Sequence, residues 1–404
     1  MDAALVARLE SEMDYEAART EPPAAFPALP DLPLRRYTDD VFYRLECDRL
    51  WSRAWLFACH DSEIPEPGSY RVVDLVGAPI VVARGDDGEI RAFYNSCRHR
   101  GAPVVREETG RERLLRCQYH AWTYDLAGSL VNVPDERDFV NLCREERALV
   151  PVRCESWAGL VFVSRDAHAV PLLEWLAPIP GELDELARQR WRCLGRTSSI
   201  VNCNWKVTAE AFLEVYHLRT IHPQTVNSLL DHRASTMGLL RNGHTRMVTR
   251  LRPGVIARGG ISLGLPTSPE MGDIFRTTNT AYGMFPNLIV PLDTVGFPLL
   301  LFWPLDIGRT RIELVWLAVD WGEGERPPAW DMLQAGFGVV MEEDERNMEP
   351  IQRSIEAATH GGVPLSYQER RILHFHVWVD KHIGVEDISA DLRVPDVLAN
   401  WVES

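Results

Sequence analysis

The sequence predicts an α+β protein in which a small all-β domain precedes a larger α/β domain with a central antiparallel sheet flanked by helices. From Gly68 to Ser164, short runs rich in Val, Ile and aromatic residues are punctuated by Gly, Pro and Asp, which is typical of a meander of antiparallel strands. Beyond that stretch, strand-like and helical segments follow one another, which favours an α+β domain. The 404 residues are enough for two such domains.

Composition and charge exclude several function classes. The formal net charge of −15 is unsuited to nucleic acid, whose phosphates need a positive surface. The N-terminus is acidic and amphipathic rather than basic and then apolar, so no signal peptide is predicted. The longest apolar runs are too short to cross a bilayer, and a cytoplasmic protein is expected. In that reducing compartment the eight cysteines indicate free thiols and metal ligands.

The chain divides into three predicted segments. Residues 1–45 are expected to form a helical arm that packs on the larger domain and contains a proline-rich, extended stretch. Residues 46–165 form the small β-rich domain, entered through apolar residues at helical spacing over 41–57. Residues 166–404 form the larger domain.

The larger domain is predicted from its alternating patterns. Helices are expected near 171–190, across 203–218 as one long helix, and from Trp330 to Ala358, and two short helical pieces close the chain. Strands are expected at RMVTRLR, PNLIVPL, PLLLFWPL and RIELVWLAV.

The small domain carries two loops with metal-ligand spacing. Cys97-x-His99 is followed after seventeen residues by Cys117-x-x-His120. Two thiolates and two imidazoles are the ligand set of a Rieske [2Fe–2S] centre. A Cys2His2 zinc site uses the same atoms and is the alternative, although the C-x-H order is unlike the opening of a zinc finger.

A second group of candidate ligands lies in the larger domain. On a continuous helix Glu210, Glu214 and His217 share one face. Pro223 disfavours helix at His222, so the chain is expected to turn there and direct the second imidazole back. Two histidines and one carboxylate form the facial triad of a non-haem iron(II) site. Several carboxylates in 341–357 are candidates for the third ligand.

The segments NSCRHRGAP and CQYHAWTYDLAGSL resemble the Rieske domain of ring-hydroxylating oxygenase α subunits. In that family a glycine commonly stands where this chain has Ala121, a change expected to matter little. The segment NWKVTAEAFLEVYHLRTIHP resembles the family's iron-binding helix, and EEDERNME its carboxylate-bearing helix. The resemblance gives Asp344 the third iron-ligand role and leaves Glu343 and Glu345 on other faces, solvated or paired.

The resemblance implies a Rieske non-haem iron oxygenase with a helix-grip (START-like) catalytic domain. Its cofactors would be a [2Fe–2S] cluster and a mononuclear Fe(II). Electrons would come from NAD(P)H through a separate flavin and iron–sulfur reductase or a ferredoxin. Glu214 would join His217 to His120 of a neighbouring subunit, which implies a homo-oligomer, expected to be a trimer. The glutamate and its spacing are similar to oxygenases of carnitine and glycine betaine, although Ala211 replaces a common asparagine.

The expected reaction is mono- or dihydroxylation of a small, aromatic organic substrate. In the resembling family the pocket walls come from about 225–320, where the candidate residues share an apolar, aromatic or amide character: Leu229, Met247, Tyr282, Phe285, Asn287, Phe302 and Trp316. The same aromatic residues would suit a quaternary ammonium substrate through cation–π contacts. A Rieske electron-transfer protein without oxygenase activity, or a zinc-stabilised binding protein, are alternatives from other classes.

Overall fold

The computed structural model describes residues 1–257, 263–358 and 361–403. The chain forms two compact units, Trp51–Trp175 and Met1–Leu50 with Leu176–Ser404. The predicted small domain, 46–165, begins and ends earlier than the first of these units. The predicted fold class is confirmed, since the first unit is built on strands and the second combines an antiparallel sheet with helices. Among the described helices, none has the length and apolar character needed to cross a bilayer.

The N-terminal residues form four helical segments: α1 (Ala3–Ala18), a 3-10 helix (Leu34–Tyr37), α2 (Asp40–Leu45) and a π-helical segment (Glu46–Trp51). The first packs on the sheet of its own unit, where Glu12 accepts a hydrogen bond from the Thr236 hydroxyl at 2.5 Å. The helix predicted over 41–57 ends at Trp51, because from Leu56 onward the backbone pairs as a strand.

The unit Trp51–Trp175 contains ten strands and one short helix: β1 (Leu56–His60), β2 (Ser69–Asp74), β3 (Pro79–Arg84), β4 (Ile90–Tyr94), β5 (Thr109–Arg111), β6 (Leu115–Arg116), β7 (Thr123–Tyr124), β8 (Leu130–Asn132), β9 (Pro151–Trp157), β10 (Leu160–Ser164) and α3 (Leu172–Trp175). Seven strands form a sheet in the order β1-β10-β9-β4-β3-β2-β5, and β6-β7-β8 form a smaller one. Each consecutive pair is antiparallel, as the meander pattern predicted.

The core of this unit contains both candidate ligand cysteines. Cys97 and Cys117 lie in one buried cluster with Val81, Phe93 and Trp122. Because the core holds the loops on which these cysteines sit, the position of each thiol is set by packing rather than by a mobile surface segment.

The second unit is built on seven antiparallel strands: β11 (Trp191–Val201), β12 (Leu230–Leu239), β13 (Thr245–Leu251), β14 (Thr278–Met284), β15 (Leu288–Leu292), β16 (Gly296–Asp306) and β17 (Arg309–Val319). Their order is β11-β17-β16-β15-β14-β13-β12. The sequence patterns identified β13, β15, β16 and β17 and missed the other three.

Besides α1 and α2, the described residues of this unit form nine α-helices: α4 (Ile179–Glu182), α5 (Asp184–Arg188), α6 (Trp205–Glu210), α7 (Leu218–Ile221), α8 (Val226–Leu229), α9 (Pro253–Ile256), α10 (Ile274–Thr277), α11 (Ala329–Glu356) and α12 (Arg370–Ile383). The long helix α11 agrees with the pattern over Trp330–Ala358. The helix predicted over 203–218 is wrong, because α6 ends at Glu210. The C-terminal α12 is longer and more buried than the two short pieces expected.

Candidate metal centres

Two loops of the first unit present the predicted Cys and His pairs. Cys97 follows β4 and Cys117 follows β6. Each loop closes by the same turn, in which the amide four residues later donates to the cysteine carbonyl oxygen at 2.9 Å, from Gly101 and from Ala121. The two loops are therefore matched in backbone shape as well as in ligand type.

The four side chains form a pair of thiols and a pair of imidazoles. Both cysteines are buried, while the rings of His99 and His120 lie with their centroids 4.7 Å apart. Trp122 stacks on His99 at 5.0 Å. The Nδ1 atom of His99 is buried and has no hydrogen-bond partner in the structure. A buried nitrogen without a partner is destabilising unless it binds a further group, so this atom fits a metal ligand.

Tyr124 supports the first thiol and was not identified from the sequence. Its hydroxyl accepts a hydrogen bond from the Arg98 amide at 2.9 Å and lies 3.3 Å from Cys97 Sγ. Since the amide occupies the oxygen as an acceptor, the hydroxyl hydrogen is free to point to the sulfur. Burial raises the pKa of the Cys97 thiol, while this hydrogen bond lowers it. Tyr124 is thus placed to stabilise a thiolate ligand.

The pairing of the four side chains favours a cluster. A [2Fe–2S] cluster takes two thiolates on one iron and two imidazoles on the other. Here the two cysteines lie together in one buried cluster and the two imidazole rings lie side by side. A Cys2His2 zinc ion, the alternative, would bind the same four atoms.

Ala121 stands at a backbone position that favours glycine. Its φ is 59°, and Gly101, at the same position of the first loop, has a φ of 77°. For a residue with a Cβ this left-handed region costs about 1 kcal/mol. The second loop thus holds a conformation that its alanine disfavours, and the expectation that the Gly-to-Ala difference matters little stays a prediction.

In the second unit, His217 and His222 flank a single helical turn. α6 begins at Asn204, whose side chain accepts from the Lys206 amide at 3.1 Å, and it ends at Glu210. A second turn, α7, has His217 at its start and His222 at its end. The prediction that Glu210, Glu214 and His217 share one face of a continuous helix is therefore wrong. The expected turn at His222 is present.

The two imidazoles and Asp344 converge on one point. Asp344 Oδ1 lies 2.9 Å from His222 Nε2 and 3.6 Å from His217 Nε2. His222 and Asp344 are buried, and His217 is partly exposed. The three ligand atoms lie within 4.8 Å of one another. Two nitrogens and one carboxylate oxygen at this separation fit the facial triad of a mononuclear iron(II).

Two further carboxylates orient the histidines. Glu214 contacts Nδ1 of His217 through a short hydrogen bond and also accepts from the His217 amide at 3.2 Å. Glu343 lies 2.6 Å from Nδ1 of His222. A carboxylate on Nδ1 places the proton there and leaves Nε2 as the free, metal-binding nitrogen. Both imidazoles thus have the tautomer that the site requires.

Glu343 was expected to lie on another face of the helix, solvated or paired. It is paired, and its partner is the site histidine His222. Its carboxylate also accepts from the Thr225 hydroxyl at 2.6 Å. The hydrogen bond from His222 holds the pKa of Glu343 below its usual range. Burial lowers the pKa of His222, but its hydrogen bonds to Asp344 and Glu343 outweigh burial and raise it. Glu345 instead accepts from the Ser199 hydroxyl at 2.6 Å.

A cavity of about 350 Å³ lies beside these residues. Its polar lining includes Glu210, Glu214, His217 and Asp344. The remainder is largely apolar: Val207, Ala211, Ile221, Met348, Ile351, Ile355, Val363, Leu365 and Ile372. A volume of this size is typical of small-molecule sites.

Glu210 belongs to a buried hydrogen-bonded group at the cavity wall. Tyr37 donates its hydroxyl to Glu210 Oε1 at 2.9 Å, and His376 Nε2 lies 2.8 Å from the same oxygen. Arg36 Nε donates to His376 Nδ1 at 3.0 Å, so the neutral ring carries its proton on Nε2 and donates it to Glu210. Burial and the Arg36 and Lys206 charges keep the pKa of His376 well below its usual value.

Burial raises the pKa of Glu210 to about 8, although the Tyr37 hydrogen bond and the charges of Lys206 and Arg36 lower it. The Glu369 charge adds to the increase. Glu210 therefore keeps a proton at neutral pH in the folded protein. Since both donors bind Oε1, the proton belongs on Oε2.

Glu210→Gln is expected to weaken the pH dependence of stability. The folded carboxyl binds its proton up to about pH 8, whereas the ordinary pKa is 4.5. Stability is therefore lost as pH rises through this window, and an amide has no such titration. The thermal unfolding midpoint should fall less between pH 6 and 8.5 in the variant than in the parent. Glu342→Gln, at an exposed site on α11, is the control. Equal slopes in parent and Glu210→Gln would contradict the assignment.

The predicted pocket residues are dispersed in the second unit, and none of the seven is among the residues that line this cavity. Leu229 and Met247 lie with Val215 and Leu218 in an apolar cluster, so they pack beside the neighbours of His217. Phe302 stacks on Phe212, at 5.2 Å between centroids.

The other four have structural partners. Tyr282 donates to Glu182 at 2.7 Å, and Phe285 stacks on His382 at 5.1 Å. The Asn287 amide donates to the Phe302 carbonyl oxygen at 3.3 Å. Trp316 packs in a separate apolar cluster. The pocket assignment stays a prediction, supported best at Leu229 and Met247.

Two protein-family descriptions match the chain. The Rieske [2Fe-2S] domain matches residues 54–151, and the ring hydroxylating alpha subunit (catalytic domain) matches residues 186–385. Each candidate ligand set falls inside the matching range.

Curated relatives match part of the chain. The benzene 1,2-dioxygenase subunit alpha of Pseudomonas putida is 34% identical over 225 residues, covering 52% of this chain and 46% of that protein. The carnitine monooxygenase oxygenase subunit of Escherichia coli K12 is 31% identical over 194 residues, covering 48% and 52%. The chain spans about half the length of the curated relatives it matches.

Solved structures match over most of the chain. A quaternary ammonium Rieske monooxygenase superposes with a TM-score of 0.76 at 21% identity, covering 92% of this chain and 100% of that chain. Naphthalene 1,2-dioxygenase from Rhodococcus sp. bound to indole gives 0.75 at 24% identity, covering 95% and 99%. At these identities the likeness establishes the fold.

Proposed function

This chain belongs to the family that joins a Rieske [2Fe–2S] domain to the catalytic domain of ring-hydroxylating α subunits, and from that premise we propose that it is the terminal oxygenase component of a multicomponent oxygenase. It uses O2 and electrons derived from NAD(P)H to mono- or dihydroxylate a small organic substrate. The observation that carries the proposal is the convergence of His217, His222 and Asp344. An electron-transfer protein needs no such site, so the assembled triad disfavours that alternative.

Each metal group has residues of this chain to hold it. Cys97, His99, Cys117 and His120 would hold the [2Fe–2S] cluster, and His217, His222 and Asp344 the iron. When bound, the cluster supplies single electrons and the iron supplies a site at which O2 is activated. The protein itself positions the donors: Glu214 and Glu343 fix the imidazole tautomers, and the apolar cavity wall limits water near the site.

Glu214 has a second proposed role. One of its oxygens accepts from the Tyr216 and His217 amides, and the other contacts His217 Nδ1. We propose that this carboxylate also bonds His120 of a neighbouring subunit and so couples the two centres. Such a link requires a closed oligomer, for which a homotrimer is the proposal, and a reductase or ferredoxin as electron donor. A cytoplasmic location suits that supply.

An aromatic substrate is the favoured class. Leu229 and Met247 pack in an apolar cluster with Val215 and Leu218, which are close to His217 in sequence, and the curated relatives include a benzene dioxygenase. A quaternary ammonium substrate is the second candidate, because another relative is a carnitine monooxygenase and Glu214 stands where carnitine and betaine oxygenases have their glutamate.

The purified protein tests the proposal directly. We expect a reddish-brown protein with about three irons per chain and, after reduction, the paramagnetic signal of a Rieske cluster. O2 uptake with a surrogate reductase should be stimulated by aromatic acids more than by trimethylammonium compounds. A colourless protein with full zinc occupancy would exclude the oxygenase. A cluster without mononuclear iron would favour the electron-transfer alternative.

A further inference from the structure

Arg371 differs from the other buried arginines of the chain. Five arginines are buried among the described residues, and four have carboxylate partners: Arg36 with Asp380, Arg71 with Glu63, Arg246 with Glu182 and Glu403, and Arg370 with Glu16. For Arg371, which is fully buried, the described residues provide no carboxylate.

The partners of Arg371 are weak. Its guanidinium donates to the Thr245 hydroxyl at 2.8 Å and to the Met247 sulfur at 3.2 Å, and its Nε atom has no partner in the structure. A thioether is a poor acceptor. Burial and, to a smaller extent, the neighbouring Arg370 charge lower the pKa of Arg371 to about 9, against the Glu214 charge, which raises it. An uncompensated buried cation is strongly destabilising, so an anion bound beside Arg371 would stabilise the protein.

Arg371 lies one residue before Ile372, which lines the same cavity as Glu214, His217 and Asp344. Met247, which Arg371 contacts, packs in an apolar cluster with Val215 and Leu218, and these two residues lie on either side of His217 in sequence. The Glu214 charge raises the pKa of Arg371, and Glu214 is bonded to His217. A ligand at Arg371 would therefore extend from the cation, past the Met247 side chain, toward the cavity that His217 lines.

We propose that Arg371 is a specificity-determining residue that binds the carboxylate or sulfonate of a small organic substrate. This inference rests on the proposed function and narrows its substrate class to organic anions. The planar guanidinium matches such groups with two parallel hydrogen bonds. The ligand displaces the Met247 sulfur, whose flexible side chain moves at little cost, and the hydroxyl of Thr245 remains beside the anion.

The test is ligand binding to the purified holoenzyme, which needs no turnover. Benzoate and benzenesulfonate are the anionic probes, and benzamide is the neutral probe of the same shape as benzoate. In the parent, the anions should raise the thermal unfolding midpoint and bind more tightly than benzamide. In Arg371→Met, benzoate affinity should fall at least about tenfold, as expected for loss of a charge-assisted hydrogen bond, with benzamide unchanged. Arg371→Lys keeps a positive charge and should retain part of the benzoate affinity that Arg371→Met loses.

Stability without ligand provides the matched comparison. Arg246→Met leaves Glu182 without its cation and Glu403 with Arg8 alone, and it should lower the unfolding midpoint. Arg371→Met removes an unpaired charge and should leave the midpoint unchanged or raise it. The proposal is overturned if Arg371→Met binds benzoate as the parent does, if the parent does not prefer the anions to benzamide, or if Arg371→Met is destabilised as much as Arg246→Met. Anion binding without O2 consumption on any substrate would reject the oxygenase and keep the anion site.

Discussion

Replacing Asp344 by alanine is expected to abolish oxygenation while leaving the [2Fe–2S] cluster intact. Asp344 Oδ1 is the atom toward which both Nε2 nitrogens converge, at 2.9 and 3.6 Å. Without it only two imidazoles remain, and mononuclear iron should be lost. Iron should therefore fall from about three atoms per chain to about two. The measurements are iron analysis, the spectrum of the reduced cluster, and product formation.

Glu345→Ala is the matched control for this variant. Glu345 follows Asp344 on α11 but bonds Ser199, so its loss should change neither iron content nor product yield. Retention of both mononuclear iron and turnover in Asp344→Ala would reject Asp344 as a ligand. Loss of the cluster signal as well would indicate a general folding defect, which unfolding measurements on the same sample would reveal.

The second large effect is expected for Glu214→Gln. The amide oxygen can still accept from His217 Nδ1, so the iron site should assemble, but the negative charge that we propose links the two centres is gone. In a single-turnover experiment with reduced cluster, substrate and O2, electron transfer to the iron should slow by roughly 10–100-fold, the usual effect of losing a carboxylate behind a metal ligand. Cluster and iron content should remain normal.

Glu343→Gln separates the two roles of Glu214. Glu343 makes the same kind of contact with Nδ1 of His222 but has no proposed partner in another subunit. Any effect of weaker imidazole orientation should appear in both variants, whereas slow transfer should appear only in Glu214→Gln. Equal transfer rates in the two variants would refute the link to a neighbouring cluster.

The sequence was informative where side-chain chemistry alone defines a site. Two matched Cys and His loops on strands predicted the cluster-type ligands. The structure gives both loops the same backbone turn and places the His99 and His120 rings 4.7 Å apart, and the ligand assignment stays a prediction. The pairing of Asp344 with the two histidines came from the resemblance, because several carboxylates in 341–357 were equally available by spacing.

The sequence was misleading where tertiary contacts override local propensity. The segment after Glu210 has good helix formers, yet the helix stops there. The Glu214 carboxylate accepts the amides of Tyr216 and His217, which starts a new turn, and Phe212 is held against Phe302. Such side-chain capping competes with helix continuation and cannot be read from periodicity.

Glu343 was missed for a geometric reason. Adjacent residues on a helix point about 100° apart, so only one of Glu343 and Asp344 was expected at the site. The two nitrogens of one imidazole also face different directions, and His222 therefore faces Asp344 with Nε2 and bonds Glu343 through Nδ1. Neither helix periodicity nor ligand spacing shows that one imidazole ring, that of His222, contacts two adjacent residues of a helix.

The carboxylates on the two Nδ1 atoms also determine how the site is filled. Because the folded chain already holds both histidines in their ligating form, metal uptake needs no rearrangement of the backbone and can follow folding. Ion capture then becomes a reversible equilibrium with the native protein, in which a chelator empties the site without denaturation. Cobalt(II) or manganese(II) can compete for the vacant position in the order that imidazole and carboxylate donors impose.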